Sequence, residues 1–370
     1  MGYEELDTPS VIVDLDVLER NIAEMAAVAK AEGVRLRPHF KTHKTPQIAR
    51  MQIDAGAVGI TCAKLGEAET LADAGITDIF ICYPLVTAMK VRRLTALARR
   101  PGMTVSTIVD SPEGIAALSS VFAHESAPLD VLVKVDAGLG RVGVAPGAAT
   151  VALARQVADA PGLRFGGICM HEGQTYKYPD PEERAEAGRA AGRTLVGTAQ
   201  ALAASGLPPA RVSSGSTPGG PAAASVPGIT EMRPGNYAFY DAMQVGLNVV
   251  PAERCALRVL TTVVSHGARD RAVIDAGSKT LTSDTGVHGM TSSGGHGIVV
   301  GRADIQIVGL SEEHGWLKLD PHGGDVRIGE MLEVIPVHSC PVANLADDLV
   351  MVRGGDIVDR WAVAAAGKVM

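Results

Sequence analysis

Eight short runs rich in valine and isoleucine recur along the first two-thirds of the chain, each followed by a polar loop or a helical stretch. They cover 34–40, 57–63, 78–84, 103–110, 129–136, 163–170, 211–216 and 229–237. Continuous apolar runs of this kind are the pattern of parallel strands buried on both faces. Helical periods fill 43–55, 64–74, 88–99, 112–124, 148–160 and 182–204, and Gly56, Gly75, Gly162 and Gly206 stand where helices stop. Eight strands alternating with helices predict a (β/α)8 barrel of the TIM type, an α/β fold. A further strand at 10–14 and a helix at 15–32 precede it. After Val250 the runs are separated by Gly, Asp and His turns without long helical periods, which predicts an antiparallel β domain. The expected division is therefore 1–250 for the barrel and 251–370 for the β domain, with the N-terminal strand free to join the latter.

Charge and cysteine usage narrow the function classes. Lys plus Arg number 34 against 41 Asp plus Glu, a net charge of −7, which excludes nucleic-acid binding driven by bulk charge. No run approaches the ~18 apolar residues of a membrane span. The first residues, Met-Gly-Tyr-Glu-Glu-Leu, lack the basic-then-apolar order of a secretory leader. The five cysteines are scattered and form no CxxC pair, so a reducing cytoplasm is expected and not a disulfide framework. Four of them, Cys62, Cys82, Cys169 and Cys255, read as packed core thiols. Aromatics are few, and seven of them (Phe40, Tyr83, Tyr176, Tyr178, Tyr237, Phe239, Tyr240) fall at or just beyond predicted strand ends. That predicts a concentration of rings where a flat cofactor would sit.

In such a barrel the chemistry sits at the C-terminal ends of the strands. Strand one is followed by Arg37-Pro38-His39-Phe40-Lys41-Thr42-His43-Lys44, and strand five by Asp136 to Gly143 with Arg141 inside it. Strand six leads into His171-Glu172-Gly173-Gln174-Thr175-Tyr176. Strand seven leads into Ser213-Ser214-Gly215-Ser216-Thr217, and strand eight ends in Arg233-Pro234-Gly235-Asn236-Tyr237. The loops after strands seven and eight are the usual phosphate site of this fold, and their hydroxyls and free backbone N–H groups suit an anion. Either loop alone would pass for an ordinary Gly/Ser turn. Lys41, walled by Pro38 and Phe40 and flanked by Arg37, His43 and Lys44, is placed to favour the neutral amine that a Schiff base requires. A lone lysine would read as solvated surface; opposite a phosphate cradle it points to pyridoxal 5′-phosphate (PLP).

Together, Arg37-Pro-His-Phe-Lys41-Thr-His-Lys44, Asp136…Arg141-Val-Gly, Ser214-Gly-Ser-Thr-Pro, Arg233-Pro-Gly-Asn-Tyr237 and His338-Ser-Cys340 resemble the D-threonine aldolase / D-serine dehydratase family. These are fold-type III PLP enzymes related to alanine racemase. The resemblance runs from about Leu6 to the C-terminus. It implies that Lys41 is the PLP lysine, that Arg141 lies near the phenolic oxygen and that Tyr176 stands beside the pyridine nitrogen. It also implies that Ser214, Gly215, Ser216, Thr217, Gly235, Asn236 and Tyr237 hold the phosphate, and that the enzyme is a homodimer with shared active sites. His338 and Cys340 match the family's divalent-metal pair. Imidazole and thiolate are good Zn²⁺ ligands, Mn²⁺ or Mg²⁺ being the alternatives, and HxC on a strand would turn both side chains to one face.

The activity implied is a lyase acting on a D-amino acid with a β-hydroxyl. Cys340 in the HxC pair, and the absence of a histidine from 174–177, favour a dehydratase giving a 2-oxo acid and ammonia. The aldolase, cleaving to glycine and an aldehyde, is the alternative. A racemase is disfavoured because 251–370 contains no Tyr to serve as second base, and a non-catalytic PLP carrier because it would lack the β domain. His39 is either a site residue or a packed one, and the same holds for His43. His288, His296 and Glu312-Glu313-His314 are expected in solvated turns, and Asp347 and Asp348 are possible supports for the metal pair.

Overall fold

The fold is that of a computed structural model, which describes Gly2, 5–286 and 295–370; His288 lies outside the described residues. After a first strand, β1 (Ser10–Asp14), come eight strands that pair in parallel. They are β2 (Arg35–Leu36), β3 (Ile60–Cys62), β4 (Asp78–Pro84), β5 (Thr104–Val109), β6 (Leu129–Lys134), β7 (Leu163–Cys169), β8 (Arg211–Ser214) and β9 (Glu231–Met232). Their order is β2-β9-β8-β7-β6-β5-β4-β3. Backbone bonds from Val58 N to Leu36 O (2.9 Å) and from Thr61 N to Pro38 O (2.8 Å) join the β2 segment to β3 and close the sheet into a barrel.

β2 and β9 are shorter than the apolar runs that mark them in the sequence. Pro234 has no N–H for the ladder, and beyond it Asn236–Ala238 form a 3-10 turn. Past β2 the chain likewise leaves the ladder for a 3-10 turn, Phe40–Thr42. The residues lost to the strands build the barrel mouth.

The barrel interior is layered. Phe80, Ile108, Leu132 and Cys169 form a core cluster of their own. Two residues further along a strand the side chain points the same way, which sets Cys82 and Lys134 in the next layer towards the mouth, and the Arg233 guanidinium lies over the Phe80 ring beside them. Buried charges link that layer to the barrel wall. Arg37 Nε donates to Glu231 Oε2 (3.0 Å), and Arg37 Nη1 to Asp78 Oδ1 (2.6 Å). Ser213 Oγ donates to Glu231 Oε1 (2.8 Å), and Arg233 Nε to Ser213 Oγ (2.8 Å). Burial works against the Glu231 charge, but Arg37 and Arg211 hold the carboxyl below its usual range.

The remaining strands make a second sheet: β10 (Leu257–Ala268), β11 (Arg271–Ile274), β12 (Gly297–Val299), β13 (Ile305–Leu310), β14 (Gly315–Leu319), β15 (Met331–Pro336), β16 (Asp348–Arg353) and β17 (Asp356–Ala362). Six of them close a ring in the order β11-β14-β13-β12-β15-β10, β10 pairing back to β11. β1 joins this sheet, antiparallel to β10 and parallel to β16, and β17 forms the edge. β12 and β17 are absent from the sequence reading. Three residues are too few to show alternation, and β17 (Asp-Ile-Val-Asp-Arg-Trp-Ala) is a largely exposed edge strand without an apolar face.

Removing one partner of a buried ion pair leaves the other charge uncompensated. Glu231→Ala should therefore lower the unfolding free energy by about 3–5 kcal/mol in a urea titration. A loss below about 1 kcal/mol, the range of exposed pairs, would show that the chain of charges does not hold the barrel.

Candidate active site

The barrel mouth and one short helix of the second layer enclose a cavity. From the barrel come His39, Lys41, Arg141, Tyr176, Gly215, Ser216, Thr217, Gly235 and Asn236, and from the other layer His338 and Cys340. Each of these is a residue singled out in the sequence. Lys134, Cys82, Arg233 and His171 also line it. The lining carries four Lys or Arg side chains and no carboxylate among the described residues.

Lys41 sits in the 3-10 turn Phe40–Thr42, its backbone N–H donating to His39 Nδ1 (3.4 Å). Burial, then Lys41, Arg233, His171 and Arg141, push His39 well below the ordinary imidazole value, so it is neutral. His43 turns the other way into the core, between the Phe40 and Phe239 rings and within reach of Gln52 Oε1 (3.3 Å). Of the two histidines, His39 lines the site and His43 is packed. Lys44 follows with φ of 52°. Its buried Nζ pairs with Glu67 Oε1 (3.3 Å) and donates to Ala365 O (3.3 Å), so the C-terminal segment braces the lysine turn.

Arg141 is presented by a loop wound around Asp136. Asp136 Oδ1 accepts from Gly138 N, Leu139 N and Gly140 N (3.0–3.1 Å). These bonds overcome the effect of burial and lower the Asp136 carboxyl. Gly143 closes the loop with φ of 120°, where a Cβ would stand 2.7 Å from Asp136 N. Only glycine fits there.

The two loops expected to cradle a phosphate meet at their backbone, and two of the expected side chains stand away from the cavity. A Cβ on Gly215 would come within 2.8 Å of the Arg233 backbone, so the two loops touch only because that residue is glycine. Ser214 and Tyr237 do not border the cavity. The Ser214 hydroxyl is buried without a hydrogen-bond partner among the described residues. The Tyr237 hydroxyl accepts from Gln52 Nε2 (3.0 Å), and its backbone N–H donates to Thr217 Oγ1 (3.1 Å). The expected ring cluster is also corrected: of the seven aromatics only Tyr176 lines the cavity. Phe40 and Phe239 are core, and Tyr83, near the end of β4, and Tyr178, after the turn Gly173–Lys177, are exposed. Burial, then Asp241 and Cys340, push the Tyr176 phenol up, and Gln244 Nε2 donates to its oxygen (3.3 Å).

His338 and Cys340 are not on a strand, as the sequence suggested. β15 ends at Pro336, His338 caps the helix Ser339–Leu345, and Cys340 lies in its first turn. Pro341 lacks the N–H that a strand needs and is tolerated at a helix start. The two side chains still meet at the cavity wall. Asp284 Oδ2 takes the Nδ1 side of His338 (2.8 Å), and Cys340 Sγ donates to Thr42 Oγ1 (3.3 Å) next to Lys41. Burial alone would lower His338, but the Cys340 charge and Asp284 carry it up to about 10. Burial would likewise raise Cys340, and His338 brings it below the ordinary thiol value. Among the described residues no group of three or more His, Cys, Asp or Glu could hold a metal ion. Asp348 pairs with Arg360 instead, and Glu312 and Glu313 with Lys279 on the surface.

Two family models cover the chain. "Alanine racemase, N-terminal domain" matches residues 13–242 and "Putative serine dehydratase domain" matches 256–352. The chain is 37% identical to a D-threonine aldolase of Arthrobacter sp. over 98% of its own length and 93% of the relative's. The solved D-threonine aldolase from Filomicrobium marinum superposes with a TM-score of 0.91 at 36% identity, covering 99% of this chain and 98% of that one. D-threo-3-hydroxyaspartate dehydratase from Delftia sp. HT23 gives 0.90 at 33%, over 98% of both chains. This chain belongs to the D-threonine aldolase / D-serine dehydratase family. Its fold is the alanine racemase-like one, a parallel barrel with a closed antiparallel β layer.

The residues present fit the PLP of this family. The cavity-lining Asn236 keeps Oδ1 buried without a partner among the described residues, Gly215 opens the approach, and the cation excess suits a phosphate and a carboxylate. Four residues that shape the site escaped the sequence reading. Lys134 and Cys82 sit two positions beyond the core residues Leu132 and Phe80, so strand alternation could have found them. Arg233 Nη1 donates to Cys82 Sγ (3.5 Å), and Cys82 borders the cavity, so it is not wholly packed in the core as expected. Asp284 and Asp241 come from distant loops and carry no local signal.

His43 is held at about 4, chiefly by burial, against 6.5 for an ordinary imidazole. As the pH falls the unfolded chain takes up its proton first. The stability carried by the neutral ring is intact above about 6.5 and falls by about 1.4 kcal/mol per pH unit down to about 4. His43→Gln should flatten this acid limb in urea titrations, and parallel limbs would contradict it. A metal ion held by His338 and Cys340 would lose about 10–100-fold in affinity in Asp284→Ala, read by chelator competition; unchanged affinity would show that Asp284 does not orient His338.

Proposed function

We propose that this protein is a PLP- and divalent-metal-dependent lyase that dehydrates D-amino acids bearing a β-hydroxyl, releasing a 2-oxo acid and ammonia. What carries the reading is the placement of His338 and Cys340 on the wall of the same cavity as Lys41, with Thr42 between them. A solved cysteine-to-alanine variant of D-threo-3-hydroxyaspartate dehydratase, 32% identical to this chain, is described in a metal-free form.

PLP bound here supplies an electron sink for charge developing at the substrate Cα. Lys41 would hold it, and the Lys41 amine would be the base placed to remove the Cα proton. Gly215, Ser216, Thr217, Gly235 and Asn236 hold the phosphate, with the Ser214 hydroxyl behind them and the Tyr237 backbone fixing Thr217. Arg141 would pair with the phenolic oxygen. Tyr176 would offer a neutral hydroxyl to the pyridine nitrogen, and neutral His39 braces the lysine turn. His338 and Cys340 would hold a divalent ion, which would supply Lewis acidity at the β-oxygen, and a soft thiolate favours Zn²⁺ over Mn²⁺ or Mg²⁺.

The turn Gly173–Lys177 offers no histidine as a hydroxyl base, and Gln174 is spent on Ala137 O (2.9 Å). That favours dehydration. Retro-aldol cleavage to glycine and an aldehyde is the second reading, supported by the likeness to D-threonine aldolases. We also infer a homodimer that shares its active sites. The half-exposed Trp316 and Val308, on adjoining strands β14 and β13, offer apolar surface for it.

Metal-loaded holoenzyme given D-threonine should yield 2-oxobutanoate and ammonia in equal amounts, read by a coupled dehydrogenase assay and ammonia detection. Glycine and acetaldehyde as the products would overturn dehydration in favour of the aldolase.

A further inference from the structure

Asp241 is fully buried, lies outside the cavity lining and has no part in the chemistry above. It caps the short helix Ala242–Gly246, Oδ1 accepting from Gln244 N (3.3 Å). Its other oxygen is a junction. Oδ2 accepts from Asn236 Nδ2 (2.6 Å), from Ser339 N (3.0 Å) and from Ser339 Oγ (3.3 Å). Asn236 Nδ2 also donates to Ser339 Oγ (3.1 Å), closing a triangle.

Each corner belongs to a different part of the site. Asn236 is in the phosphate cradle. Ser339 stands between His338 and Cys340. The capped helix also carries Gln244, whose Nε2 reaches the Tyr176 hydroxyl (3.3 Å), and its Met243 N donates to Val337 O (3.3 Å), one residue before His338. A carboxylate accepting several short bonds in a dry interior makes a stiff joint. Among the described residues no hydrogen bond ties it to a Lys or Arg; burial pushes the carboxyl up, and nearby His338 with the bonds from Ser339, Asn236 and Gln244 works against that.

We propose that Asp241 is a positioning residue that couples the phosphate cradle to the metal pair, so that PLP and the metal ion bind cooperatively. The inference rests on the reading of those two segments given under the proposed function. When the cofactor orders Gly235 and Asn236, the triangle fixes Ser339 and with it the separation of His338 from Cys340. Linkage makes the effect reciprocal: the factor by which PLP tightens the metal equals the factor by which the metal tightens PLP.

The test uses full-length protein and measures binding, not turnover. Zinc affinity is read by competition with a chromophoric chelator, with and without PLP, and PLP affinity by its visible absorbance, with and without zinc. Wild type should show the same tightening in both directions, on the order of tenfold. Asp241→Asn puts an amide donor against the Asn236 and Ser339 donors and should bring the factor close to one while each ligand still binds alone. Ser339→Ala removes one corner, keeps the backbone bond and the buried charge, and should reduce the factor partially; it carries the test if Asp241→Asn does not fold. Equal zinc affinity with and without PLP in wild type would overturn the coupling, as would an undiminished factor in the variants. Failure of wild type to bind zinc or PLP at all would instead overturn the underlying reading of the cradle and the pair, and this inference with it.

Discussion

The chain of polar contacts from half-exposed Asp78 through buried Arg37, Glu231, Ser213 and Arg233 is the constraint on which the site rests. Four polar residues buried inside a barrel would be costly unless each found a partner. Here each does, and the last of them, Arg233, is held upright beneath the mouth, its Nη2 on Met170 O and its Nη1 on Cys82. That guanidinium helps keep His39 neutral, and the Arg233 backbone is what Gly215 packs against. The floor of the cavity is thus rigid and positive before any ligand arrives.

Above this floor, loops do the work and the second layer finishes it. The lysine turn is braced behind by Lys44, Glu67 and the C-terminal segment, and in front by Thr42 meeting Cys340. The layer that carries His338 and Cys340 is itself pinned to the barrel through Asp241. A cavity with cations on the barrel side and a thiolate-imidazole pair on the other suits a zwitterionic substrate whose carboxylate and β-oxygen need different partners.

The barrel was legible because buried parallel strands are continuous apolar runs, and the limits of β4 and β1 match the sequence reading residue for residue. The recurring polar segments after the strands were legible because barrel geometry says where to look. What failed did so for physical reasons. HxC was read as a strand because β15 runs straight into it, and Pro341 turns the chain into a helix instead. Aromatics counted by position carry no direction, so the Tyr237 ring, expected where a flat cofactor would sit, turns onto Gln52 instead. Asp284 and Asp241 gave no signal, since their roles exist only once residues about 54 and 98 positions away have met them.

The central claim is that this cavity holds PLP on Lys41. Borohydride reduction of the PLP-loaded protein fixes the cofactor to whichever amine carries it, and peptide mapping then names that amine. The structure predicts a single pyridoxyl group on Lys41. A label on Lys134, which lines the same cavity, or on Lys44 behind it, would contradict the account.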